Sequence, residues 1–163
     1  GVFRWTSGET YDGHWVDDRK HGLGRTIFQD GSEYSGDYFE DLMEGEGRMT
    51  YTNGDVYKGD FVDGARYGHG ELTFASGDVY EGQFIAGAMQ GRGVMRTCAA
   101  RAGAGAEGAL PPGAEVFEGN FYDNERNGHG CCRYSDVEVG IVVWWSEGNQ
   151  TKLQVIEIVL VLG

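Results

Sequence analysis

The feature that most constrains this chain is an internal period of 23 residues. Tyr11, Tyr34, Tyr57 and Tyr80 keep that step, as do Gly13, Gly36, Gly59 and Gly82, and Trp15, Tyr38, Phe61 and Phe84. The pairs Gly22/Gly24, Gly45/Gly47, Gly68/Gly70 and Gly91/Gly93 stay in phase with them. A fifth copy returns 37 residues later as Phe117, Gly119, Phe121, Gly128 and Gly130, after a spacer 14 residues longer. Short repeats of this kind build quasi-one-dimensional arrays, because one unit alone cannot bury its apolar face and its neighbours must complete it.

Each unit reads as a hairpin. In Tyr11-Asp12-Gly13-His14-Trp15, apolar or glycine positions alternate with polar ones, the period of a half-buried strand. The polar column stays polar in every copy, so one face is expected to be wet and the other aromatic. A second strand is expected after each glycine pair, with Thr26 and Phe28 on one face. The pairs Ser7-Gly8, Asp30-Gly31, Asn53-Gly54 and Ser76-Gly77 are expected to make the tight turns. The connection from Asp17 to Gly22 is expected to be longer. With every link a hairpin, the expected fold is all-β: an elongated, twisted antiparallel β-meander, about 50 Å long for five units at about 4.8 Å per strand. The glycine between Tyr11 and Trp15 leaves a gap over which a ring from a neighbouring strand is expected to lie.

Composition narrows the function. The 29 glycines are far above the usual share of roughly 7%. The formal charge of −13 disfavours nucleic acid and, without a basic cluster, an anionic membrane. The densest basic pair is Arg19 with Lys20. Three cysteines, Cys98, Cys131 and Cys132, do not suggest a disulfide framework, and a reducing, cytoplasmic setting is the simpler reading. The most apolar run, Val155 to Leu162, is much shorter than the roughly 20 residues of a spanning helix. The chain opens mid-repeat at Gly1, which suggests a segment of a longer protein.

The string Tyr57-Lys-Gly-Asp-Phe61-Val-Asp-Gly-Ala-Arg-Tyr-Gly68-His-Gly70 resembles the MORN (membrane occupation and recognition nexus) repeat, in which Tyr-x-Gly-x-aromatic leads to Gly-x-Gly. The resemblance covers residues 1–97, a partial unit followed by four copies, and a fifth copy at 115–134. It implies a twisted β-meander that serves as an interaction module. Such repeats occur in proteins of membrane contacts, cilia and the cytoskeleton, and beside the catalytic domains of some lipid kinases. Residues 98–114 depart from the pattern as a low-complexity insertion. Residues 135–163 read as a degenerate repeat or a terminal cap. Gly140 and Trp144 stand where a sixth copy would begin, and the apolar tail matches nothing in the family.

No catalytic, cofactor or metal site is expected. His69 and His129 share a repeat position with Leu23, Glu46 and Arg92, a column too varied for ligation. Cys131 and Cys132 lack zinc-site spacing, and the Gly-x-Gly pairs lack the strand–helix setting of a dinucleotide site. Asn149-Gln150-Thr151 is a glycosylation sequon that a cytoplasmic location would leave silent. The candidate partner-binding residues are the aromatic columns: Tyr11, Trp15, Tyr34, Tyr38, Tyr57, Phe61, Tyr80, Phe84, Phe117 and Phe121. They can be the sheet's own core, or they can stay accessible and receive a partner's helix or extended peptide. The expected function is non-catalytic scaffolding for protein partners or a second copy of the chain. The alternatives are a membrane- or phosphoinositide-proximal tether and the regulatory repeats of a larger enzyme.

Overall fold

The computed structural model describes residues 1–97, 115–134, 137–145 and 154–160. The insertion read over 98–114 and the sequon at Asn149 lie outside them. Every regular element described is a strand. The leading strands of the repeats are β2 (Thr10–Val16), β4 (Glu33–Phe39), β6 (Val56–Val62), β8 (Val79–Ile85) and β10 (Glu115–Tyr122). Their partners are β3 (Arg19–Ile27), β5 (Leu42–Thr50), β7 (Ala65–Thr73), β9 (Ala88–Thr97) and β11 (Glu125–Tyr134). The short β1 (Val2–Arg4) precedes them, and β12 (Val137–Trp145) and β13 (Gln154–Leu160) follow.

The chain forms two compact units. One comprises Gly1–Ala75 with Phe84–Gly87, the other Ser76–Gln83 with Ala88–Gly163. In the first, β1 through β7 pair in chain order. In the second, β9 through β13 do the same, so residues 154–160 of the apolar tail form a strand paired to β12. All these pairings are antiparallel, making an all-β meander of hairpin repeats.

The turns are the reverse of the sequence expectation. The two-residue links are Asp17-Asp18, Glu40-Asp41, Asp63-Gly64, Ala86-Gly87 and Asp123-Asn124, and both residues of each hold positive φ. That is what a type I′ hairpin turn demands. The links carrying Gly8, Gly31 and Gly54 are the longer ones: Phe28 and Ser32 close the loop around Gly31, with the Phe28 N–H donating to the Ser32 carbonyl at 2.9 Å. An Asp-Gly pair suggests the tighter turn, but contacts between repeats fix the other one. The Asp41 N–H donates to the Lys20 carbonyl (3.0 Å), and its Oδ1 accepts the Lys20 N–H (2.8 Å). Asn124 makes the same pair of hydrogen bonds with Met89, its N–H donating to the Met89 carbonyl and its Oδ1 accepting the Met89 N–H.

The second strand therefore begins right after the turn and contains the glycine pair rather than following it. Gly22, Gly45, Gly68, Gly91 and Gly128 take positive φ there. The ladder shifts register beside them, between Gly13 and His14 in β2, for example. The other glycine of each pair answers a different need. A Cβ at Gly13 or at its partner Gly24 would come within 3.0 Å of the Tyr11 ring. The covering ring thus comes from the glycine's own strand, not from a neighbour. Its hydroxyl donates to the His14 carbonyl at 2.8 Å, at the break in the ladder. Tyr34, Tyr57 and Tyr80 donate in the same way to Asp37, Asp60 and Gln83.

Laid flat over the glycines, the leading rings meet the strand-end rings edge to face. In the first unit the contacts run Trp15–Tyr11–Tyr38–Tyr34–Phe61–Tyr57–Phe84, with centroids 4.9–5.2 Å apart. In the second they run Tyr80–Phe121–Phe117. Each such pair contributes about 0.5–1.5 kcal/mol beyond its area burial. In each unit the ring ladder serves as the core of its sheet layer.

Candidate partner-binding faces

Of the ten aromatic residues read as partner candidates, nine are buried: Tyr11, Tyr34, Tyr57, Tyr80 and Phe117 are 0% exposed, and Tyr38, Phe61, Phe84 and Phe121 at most 4%. Trp15 alone is half-buried. Burial raises the pKa of these tyrosines above the ordinary phenol value, and pushes Tyr38, Tyr57 and Tyr80 up to about 12. These rings form a floor.

What lies over that floor is a column the sequence reading did not single out: Lys20, Met43, Arg66, Met89 and Arg126. They stand opposite the strand-end rings, as Trp15–Lys20, Tyr38–Met43, Phe61–Arg66 and Phe121–Arg126 show. Lys20 Nζ sits 4.9 Å from the Trp5 ring and 5.3 Å from Tyr11, and is held by Glu9 at 2.7 Å. Arg66 lies 5.3 Å from Phe84 and donates to the Gly87 carbonyl. Arg126 lies 4.6 Å from Phe117 and pairs with Glu115 at 2.5 Å. A long cation covers a ring with its stem and charge together. Met43 occupies the same column without a charge. Beside it a shallow recess opens, lined by Phe28, Met43 and Met49 with Glu9, Gln29, Asp30 and Ser32.

The opposite face is not uniformly wet. The position after each strand-end ring is Val16, Phe39, Val62, Ile85 and Tyr122, apolar in every copy despite its polar parity. All are exposed: Val16 49%, Phe39 54%, Val62 39% and Ile85 52% in the first unit, and Tyr122 62% in the second. The 23-residue step alone marks both columns in the sequence; reading the strand as simply alternating hid them.

With the repeat geometry in place, the family match is decisive. A family model described as MORN repeat matches residues 11–33, 34–56, 57–79, 80–97 and 117–136. The chain belongs to the MORN repeat family. The MORN repeat is a non-catalytic repeat module. No curated protein matches this MORN chain significantly. Among the described residues, no group of three or more His, Cys, Asp or Glu side chains is placed to hold a metal ion. No helix among them is long and apolar enough to cross a membrane.

Proposed function

We propose that this MORN segment is a protein-interaction and scaffolding module whose aromatic face receives a helix or extended peptide of a partner. The recess at Met43 carries the reading. A recess in which Phe28, Met43 and Met49 stand among Glu9, Gln29, Asp30 and Ser32 suits an inserted apolar side chain with a polar rim, because methionine adapts its shape. The buried rings of the first unit then support the site, while Trp15, Phe28, Met43 and Met49 supply contact.

The decisive variant is Met43→Lys. Lysine and arginine already occupy this column at Lys20 and Arg66, so a lysine here covers the recess without disturbing the fold. Proteins captured from lysate by the wild-type chain and by the variant are compared by mass spectrometry, alongside thermal melts. The expected outcome is an unchanged melting temperature with loss of the wild-type partners. An unchanged partner set would remove the aromatic face as the binding site.

A further inference from the structure

From the opposite face we infer a second docking surface, for a basic amphipathic helix, along Val16, Phe39, Val62 and Ile85. These four belong to one compact unit and recur once per hairpin, so they form a row across the strands. Leu42 and Ala65, directly opposite Phe39 and Val62, continue it. Tyr67 is exposed on the same face.

Charge selects the occupant. On one side of the row stand the turn carboxylates Asp17, Asp18, Glu40, Asp41 and Asp63, all exposed. On the other side Asp37 and Asp60 lie two residues before Phe39 and Val62, on the same face. Glu46 faces Asp60 directly across the ladder. Like charges in that relation repel, and a cation placed between them relieves the strain. The cation within the row is Arg19, already held by Glu40 at 2.7 Å. Arg48 and Lys58 stand two residues further along their strands, outside the acidic border. Around Phe39 and Val62 the apolar row has acid on both sides, with His14 and Gln83 in the same column beside Val16 and Ile85, and it fits an apolar stripe with Lys or Arg on both sides of its centre.

Spacing selects the helix. Successive anchors are two strands apart, about 9.6 Å. Seven helical residues rise about 10.5 Å, so heptad positions stay nearly in phase over all the anchors, and the intervening apolar positions fall over Leu42 and Ala65. A polyproline ligand also repeats every ~9.3 Å, but such ligands dock in aromatic-lined grooves, whereas three of these four anchors are aliphatic.

The probe is a fluorescent synthetic helix of about 20 residues with heptad-spaced leucines flanked by lysines. It carries a photo-cross-linker at its central leucine. Anisotropy is read at about 0.15 M salt. We expect binding weakened at least about tenfold by Val62→Ser with Ile85→Ser, and equally by Glu46→Lys with Asp60→Lys. A glutamate-flanked version and a scrambled lysine–leucine version should not bind. The cross-link should map to β4, β6 or β8 on the outer face, a readout that needs no variant. Equal binding to the Ser variant or the scrambled peptide would mean general attraction to an acidic protein and would overturn the proposal. So would a cross-link on the aromatic face. So would dimerisation of the chain that the Ser variant abolishes, since a second copy would then cover the row. Because Met43 lies on the other face, Met43→Lys leaves this binding intact and keeps the two surfaces separable.

Discussion

At the scale of single residues, tyrosine and glycine act as one device. Tyr57 lies over Gly59 and Gly70, so that a Cβ on either would fall within 3.0 Å of its ring atoms or of facing backbone. Its hydroxyl meets the Asp60 carbonyl at 3.0 Å, where the ladder breaks. The phenol must stay neutral to donate that bond in a buried place. Burial away from water, which penalises the phenolate, raises the folded value to about 12 for Tyr38, Tyr57 and Tyr80, above an unfolded value of about 10. A raised acid stabilises the fold fully below the unfolded value, and that stability is lost as pH climbs through the folded one. The melting temperature should therefore hold from neutral pH to about pH 10 and fall between about 10 and 12. The fall should be shallower in Tyr80→Phe, which has one fewer buried phenol, read by thermal melts across that range. A variant with the same slope as wild type would show that Tyr80 ionises equally easily folded and unfolded. The sequence shows the tyrosine and glycine columns plainly. Which ring covers which glycine does not follow from spacing alone, since a ring from the same strand and one from the next strand fit the same pattern.

At the scale of the hairpin, the two-residue turn is both sharp bend and link between repeats. Its first position holds Asp17, Glu40, Asp63, Ala86 and Asp123, all at positive φ. Aspartate and asparagine tolerate that region, but alanine has no polar group to bond locally, and L-residues lose about 1–2 kcal/mol there. Ala86, at φ 49, and Glu40, at φ 46, are thus the strained members of the series. Ala86→Asn should stabilise the chain by roughly 0.5–1 kcal/mol, a rise of a few degrees in melting temperature, checked by calorimetry. A fall would show that the methyl group at residue 86 makes a contact worth more than the strain. Misplacing this turn follows from reading dipeptides locally. Asp30-Gly31 carries the stronger hairpin signal, whereas Glu40-Asp41 bends because Asp41 bonds to Lys20 in the preceding repeat. No local rule contains that partner. The strand period was legible because glycine and aromatic columns mark it. The exposed apolar position at Phe39 and Val62 was obscured because it shares parity with Ser35, Asp37, Lys58 and Asp60.

Over the whole molecule, charge separates a protein scaffold from a lipid tether. The formal charge is −13, and the basic pair most evident in sequence is already engaged. Lys20 is held by Glu9 over the aromatic ladder, and Arg19 pairs with Glu40. Arg48 faces Lys58 on a patch that also holds Arg25, itself paired with Glu33, together with Asp12, Asp37 and Glu46. Acidic lipid headgroups would meet that mixture with little net attraction, and screening at about 0.15 M salt weakens it further over about 8 Å. The chain should therefore stay in the supernatant when liposomes containing phosphoinositides are sedimented at that ionic strength. Lowering the salt toward about 0.01 M should not recruit it, because a longer screening length adds repulsion from the many carboxylates faster than attraction to two cations. Sedimentation at physiological salt that Arg48→Glu with Lys58→Glu abolishes would reverse this. The Arg48–Lys58 patch would then be a headgroup site, and the tether would replace the scaffold as the reading of this MORN segment.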